Sequence, residues 1–201
     1  MKSMLVLGTY TNPPYHPLAG VDEILKGLFG RDFKIRFTED AGELKTLSPD
    51  TDLFISYYDV WRQSVPGADA LERYVLEGGR MLALHNGIAL QSDERLMKLL
   101  GGEFTHHPPQ EVIRFYPAKG GLLDGCEAFA ISEEPYQFAS LAQDITPVLY
   151  YTYKGDSYLA GWTRVCGKGK SAYLAPGHTV ETFRLKPYQD MILKTAAWLL
   201  A

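Results

Sequence analysis

The chain has 201 residues, 46% of them hydrophobic and 22% charged, with a net charge of -4. A single domain over residues 1–201, large enough to bury a full core, is the natural expectation. The acidic balance and the absence of a basic run argue against a nucleic-acid partner, and no apolar stretch approaches the roughly 20 residues that would cross a bilayer.

The opening segment turns polar at Thr9 and reads as a first strand, Met4 to Leu7, rather than as a signal peptide. A loop rich in Pro and Tyr, Thr9 to Pro17, leads into a helix over about Val21 to Phe29, with Ile24, Leu25, Leu28 and Phe29 on one face. Phe33 to Phe37 alternates apolar and charged residues as a half-exposed strand does, and Leu53 to Tyr58 is a buried strand. Ser64 and Pro66 are expected to start a helix with Leu71, Tyr74 and Val75 inward, ended by Gly78 and Gly79. Met81 to Leu84 forms another strand, followed by a helix from Asp93 to Leu100 stopped by Gly101 and Gly102. Strands and helices in alternation, with continuous apolar strands, imply a parallel sheet covered on both faces.

The second half changes character. Glu111 to Tyr116, Phe129 to Ile131, Thr146 to Tyr153, Tyr158 to Val165 and Lys170 to Ala175 are strand-like, with turn signals at Lys154–Asp156 and Gly167–Gly169. These read as antiparallel additions before a closing helix from about Pro187 to Leu200, whose stripe is Met191, Ile192, Thr195, Trp198 and Leu199. The run Gly167 to Ser171 fits a hairpin turn better than a phosphate loop, because the first glycine of such a loop is missing.

The residues that bear chemistry collect at strand ends. Arg80 to Gly87 is a short apolar strand that breaks directly into His85, Asn86 and a glycine, the form of a nucleophile elbow with histidine in place of Ser or Cys. If the strands are parallel, His16, His85, His178 and Asp59 all lie beyond their carboxyl ends, where open α/β sheets bind ligands. Of the neighbours His106 and His107, only one is expected to face the site. Glu133 and Glu134 either supply a carboxylate or form an exposed pair, and Glu181, which opens no obvious helix, either orients His178 or is solvated. Imidazoles on separate loops can ligate a divalent metal or act as acid and base near neutral pH; the spacing does not choose between them. The two cysteines, Cys126 and Cys166, match no disulfide or zinc pattern and read as reduced thiols of a cytoplasmic protein.

Several segments together resemble the trehalose-utilisation (ThuA-like) family: Gly78 to His85, Leu99 to Pro109, Ser132 to Tyr136, Trp162 to Arg164 with Gly167 to Gly169, and Gly177 to Phe183. They run in the family's order from about Met81 to the C-terminus, with a looser match before it, chiefly Tyr57 to Asp59. The sequence departs at Pro135, where the family usually has an apolar residue such as Leu. The resemblance implies a three-layer α/β/α fold around a mostly parallel sheet, similar to class I glutamine amidotransferases and flavodoxin-like proteins, with antiparallel additions in the second half. In that wider superfamily His85 stands where the amidotransferase has its nucleophilic Cys, His178 where its catalytic His falls, and Glu181 near the acidic partner. Loss of the thiolate removes glutaminase chemistry.

The resemblance further implies a role in carbohydrate metabolism, with a sugar or oxidised sugar derivative as small-molecule ligand. The expected catalytic residues are His85, His178 and Glu181. Asn86, His107, Glu134 and Tyr136 are expected around the substrate, with His16 or Asp59 at the rim. A divalent metal (zinc, manganese or iron) on His85, His107 and His178 is the cofactor left open, and a homo-oligomer the assembly left open. A sugar-binding or regulatory protein without catalysis is the rival reading on the same fold.

Overall fold

Continuous apolar strands need cover on both faces, and that requirement sets the architecture. The computed structural model describes all residues, Met1–Ala201. In chain order the elements are β1 (Lys2–Gly8), α1 (Val21–Phe29), β2 (Phe33–Thr38), β3 (Leu53–Tyr57), α2 (Ala68–Leu76), β4 (Arg80–Leu84) and α3 (Glu94–Leu100). The second half adds β5 (Glu103–His106), β6 (Glu111–Pro117), β7 (Phe129–Glu133), β8 (Gln137–Ala139), β9 (Thr146–Tyr153), β10 (Asp156–Cys166), β11 (Gly169–Leu174), α4 (Val180–Arg184) and α5 (Lys186–Leu200).

Nine strands form one mixed sheet in the order β2-β1-β3-β4-β11-β10-β9-β6-β7, and β5 pairs with β8 in a separate ribbon. From β2 to β11 the pairs are parallel, and from β11 to β7 they are antiparallel. β11 belongs to both halves: the Gly167–Gly169 turn brings it back against β10, and β4 takes its other edge. Helix α4 contacts both α1 and α5, and α2 contacts α3, so the sheet is covered by two helical groups. No helix is long and apolar enough to cross a membrane.

The register levels the carboxyl ends of the parallel strands. Gly8 pairs with Tyr57, Ser56 with Ala83, and Leu84 with Leu174. The residues that follow these strands, His16, Asp59, His85 and the Ala175–His178 loop, are thereby delivered to one edge of the sheet.

Local chemistry explains most element ends. Asp93 caps α3 by accepting from the Arg95 amide, and Gly101, at φ +77°, ends it in the left-handed region. Acidic Asp22 and Glu23 open α1 and Lys26 closes it, in accord with the helix dipole. α2 starts at Ala68 rather than at Ser64 or Pro66, because Gly67 takes a left-handed conformation immediately before it. The 3₁₀ turns at Ala41–Thr46 and His85–Ser92 and the one-turn helix α4 carry too few residues to show a helical period.

The elbow after β4 is tightly packed. His85 has a φ of +44°, in the left-handed region that a residue bearing Cβ enters only when its surroundings hold it there. Gly87 passes so near β3 that a Cβ would lie 2.1 Å from the Ser56 carbonyl oxygen. Replacing Gly87 by Ala is therefore expected to destabilise the protein by about 2 kcal/mol or more through overpacking; an unchanged urea midpoint would show that the elbow yields freely.

Candidate active site

His85 leaves β4 with its ring wholly buried, stacked on Tyr136 at 4.4 Å between centroids. Its Nδ1 lies 2.7 Å from the Ala175 carbonyl, which can only accept, so Nδ1 carries the proton and the neutral ring turns a bare Nε2 inward. His16 is arranged the same way. Its Nδ1 donates to Asp59 Oδ1 at 3.1 Å, and its Nε2 points at His85 Nε2, also at 3.1 Å. Asp59 is fully buried and also accepts from the Tyr15 and His16 amides and from Trp61 Nε1. His16 and Asp59 thus form the floor of the site, not its rim. The Tyr15 and His16 amides and the Trp61 indole hold the Asp59 carboxylate, and burial requires it.

His178 arrives on the loop after β11. Tyr57 and Tyr188 donate to the Gly177 and Pro176 carbonyls, each at 2.6 Å, and fix that loop. Gly177, at φ +141°, leaves room where a Cβ would lie 2.9 Å from His85 Cβ. The His178 ring is 21% exposed, and its Nδ1 lies 3.1 Å from His16 Nε2.

Glu134 enters from the antiparallel half. The Tyr136 amide donates to the Glu134 carbonyl across Pro135, a three-residue turn that suits the fixed φ of proline. Pro135 therefore aims the Glu134 carboxylate. Oε2 sits 3.5 Å from His16 Nε2, 3.4 Å from His85 Nε2 and 3.3 Å from His178 Nδ1. That oxygen is buried and has no hydrogen-bond partner.

The electrostatics follow from this crowding. Burial disfavours a charge on His16, but its bond to Asp59 and the nearby Glu134 carboxylate outweigh burial and raise its pKa to about 9. Burial also opposes ionisation of Glu134, and the imidazoles around it overcome that penalty and hold the carboxyl well below the usual range. For His85 burial dominates and pushes the pKa down, aided by the neighbouring His16 charge.

His16, His85, His178 and Glu134 each present one ligand atom, all within 4.8 Å of one another, and could hold a metal ion. His107 stands outside this set: its Nε2 faces the other Glu134 oxygen at 3.6 Å, its ring lies along Tyr136, and it is 35% exposed at the mouth. His106 points away, exposed, with its Nδ1 on Thr105. Asn86 is buried beneath the elbow and donates to the Tyr57 carbonyl at 2.9 Å, tying the elbow to β3.

Glu181 is the residue whose expected place is overturned. It lies in the first turn of α4, 61% exposed, and pairs with Arg184. The carboxylate that orients the His178 loop is Glu133, fully buried at the end of β7, which accepts from the Gly177 and His178 amides at 2.9 and 3.1 Å and from Thr182 Oγ1 at 2.5 Å. The alternation of a strand turns Glu133 and Glu134 to different partners, and the pair in sequence was the only trace of it. Two mouth aromatics, Trp61 and Phe104, 5.2 Å apart, had no signal at all in the sequence.

The family model for trehalose utilisation, ThuA, matches residues 5–199. No curated protein matches the chain. Among solved structures, a ThuA-like protein from Bacteroides uniformis is similar with a TM-score of 0.79 at 18% identity, over 98% of this chain and 91% of that one. A cytoplasmic protein from Salmonella typhimurium has a TM-score of 0.71 at 10% identity, over 99% of each chain. A cold-adapted β-galactosidase from a Rahnella species gives 0.68 at 15% identity, over 99% of this chain and 32% of that one. At these identities the likeness is one of fold.

Two carboxylates three residues from His178 or across the sheet from it thus have opposite fates, and stability measurements separate them. Glu133→Gln sets an amide donor against N–H groups and is expected to cost about 2–3 kcal/mol, with faster hydrogen exchange at the Gly177 and His178 amides. Glu181→Gln should stay within about 0.5 kcal/mol of the parent. Equal denaturation midpoints for the two variants would contradict the assignment of Glu133.

Proposed function

The chain belongs to the trehalose-utilisation (ThuA) family, and from that premise we propose that it is an enzyme acting on a sugar or oxidised sugar derivative held above the imidazole–carboxylate cluster. The observation that carries the reading is the inward convergence of three imidazoles and Glu134 at the carboxyl edge of the sheet, beneath a mouth lined by aromatic rings. Such a cluster is made for moving protons or polarising an oxygen. Hydrolysis and proton transfer next to a sugar carbonyl are the reactions it suits.

The mouth supports a sugar as the ligand. Trp61, Phe104 and His107 stand around it, backed by the buried Tyr136, and Tyr15, 72% exposed, flanks His16. The C–H face of a sugar ring is weakly positive and lies well on the negative face of an aromatic ring, while its hydroxyls can reach the imidazoles below. His85 and His178 form the central pair on which the reacting oxygen sits. His107 is the acid or base at the mouth. Its Nδ1 donates to the Pro108 carbonyl at 2.8 Å, which leaves the Nε2 lone pair, beside Glu134 Oε1, to take a proton from a bound hydroxyl or return one.

Glutamine hydrolysis by a thiolate has no support here. The elbow carries His85, and the two free cysteines lie elsewhere, Cys166 buried with its thiol against Ser171 and pushed up by burial. The two free thiols and the Salmonella protein of the same fold support a cytoplasmic setting.

The test is turnover of trehalose and of keto-disaccharides followed by proton NMR. His178→Ala and His107→Ala are expected to slow turnover by about 10²- to 10⁴-fold with little loss of stability, since both rings reach solvent. At His85 the informative change is His85→Gln, because Ala would open a cavity under Tyr136. Saturable binding of these sugars without turnover would replace the enzyme with a sugar-binding or regulatory protein, and absence of binding would remove the sugar.

A further inference from the structure

We propose that His16 Nε2, His85 Nε2, His178 Nδ1 and Glu134 Oε2 together bind one divalent transition-metal ion, with zinc the best fit to three imidazoles and a carboxylate. This deepens the sugar-enzyme reading and rests on it for what the ion does, but the binding itself stands apart from it. The ligand set differs from one built on His85, His107 and His178, because His107 faces the opposite carboxylate oxygen while His16 faces the centre.

Three observations converge on a cation. The first is spacing. Five of the six distances among the four atoms fall between 3.1 and 3.5 Å, and the sixth lies within 4.8 Å. A tetrahedral zinc ion with bonds of about 2.0–2.1 Å has ligand–ligand edges of roughly 3.3–3.4 Å.

The second is lone-pair direction. The outer nitrogens of His85 and His16 are held by the Ala175 carbonyl and by Asp59, the outer-sphere arrangement that fixes a metal-binding imidazole. Their inner nitrogens then face each other at 3.1 Å, with at most one proton between them, beside a buried carboxylate oxygen without a hydrogen-bond partner. A single proton on His16 Nε2 does not resolve this. One N–H points along one line, and three acceptors surround it within 3.5 Å. A cation at the centroid satisfies all four atoms at once.

The third is charge. Asp59, Glu133 and Glu134 gather here, the first two fully buried, and the only ionic partners of Asp59 and Glu134 are histidines. No Lys or Arg side chain pairs with any of the three. Buried carboxylates require compensation, and a divalent ion supplies more of it than a single protonated imidazole. Bound there, the ion would polarise a sugar carbonyl or activate a water beneath the aromatic mouth.

The experiment uses the full chain stripped with a chelator and titrated with zinc sulfate by calorimetry, and in parallel with cobalt(II), whose visible absorption reports its coordination. One ion per chain is expected, with a cobalt spectrum of low coordination number. Glu134→Gln, His16→Ala and His178→Ala should each weaken zinc binding by more than tenfold, Asp59→Asn by about 10- to 100-fold, and His107→Ala and Glu181→Gln should leave it unchanged. Circular dichroism checks each variant. Should the buried His16 variant fail to fold, His178→Ala and Glu134→Gln still decide, since both side chains are partly exposed. Parent protein that binds zinc and cobalt no more tightly than the combined Glu134→Gln, His178→Ala variant overturns the centre. Zinc bound without sugar turnover keeps the centre and removes the sugar-enzyme reading; turnover by protein that fails to bind zinc or cobalt does the reverse.

Discussion

The outer nitrogens of His16 and His85 are both occupied, one by Asp59 and the other by the Ala175 carbonyl, and the rest of the site depends on that fact. An imidazole has two nitrogens, and fixing a proton on one fixes a lone pair on the other. Here the inner nitrogens are turned toward each other at 3.1 Å, where two bare lone pairs would repel. Only something electron-poor between them makes the arrangement stable, whether a proton, a cation or the polarised atom of a substrate. The crowding is built by groups that lie outside the centre and cannot rotate away: a backbone carbonyl at the start of a pinned loop, and a carboxylate held by two amides and an indole.

The pinned loop needs both halves of the sheet. The parallel half supplies the level edge on which His85 and Ala175 stand side by side, a consequence of Leu84 pairing with Leu174. The antiparallel half supplies β7 at the far edge of the sheet, whose last residue, Glu133, reaches across to the amides of Gly177 and His178. The next residue, Glu134, turns the other way and fills the centre. One dipeptide therefore both positions an imidazole loop from behind and answers it from the front. In the amidotransferase-like arrangement that the sequence resembles, the elbow carries a nucleophile; in this chain the strained backbone at His85 carries an imidazole instead.

The parts of this that were legible in the sequence are those with a period or a strand end. α1 and β9 fall on the expected residues because α1 runs between Gly20 and Gly30 and β9 ends at the Lys154–Asp156 turn. His16, Asp59, His85 and His178 could be placed at one edge because each follows an apolar run, and parallel pairing does the rest. Direction was not legible. Nothing in the order of residues says that Glu181 faces solvent beside Arg184 while Glu133, 45 positions before His178, holds its amide. Nor does it say that His16 lies on the floor. Side-chain facing is set by register and by loop closure over long sequence distances, and neither leaves a local trace. Trp61 and Phe104 were silent for the same reason, since a loop aromatic has no periodicity to betray the surface it joins.

The contact between His16 and His178 spans 162 positions of the chain. A ligand shared by these two rings is therefore a non-covalent cross-link that closes almost the whole polypeptide into a loop. Neither ring can leave the site without opening that loop, and the segments that carry them sit at opposite ends of the folding problem, one after the first strand and the other after the last. Such a clasp reports on completion: it can form only when β1 and β11 are both seated in the sheet. Its grip, once made, is felt as resistance to unfolding of the entire protein and not of the loops alone.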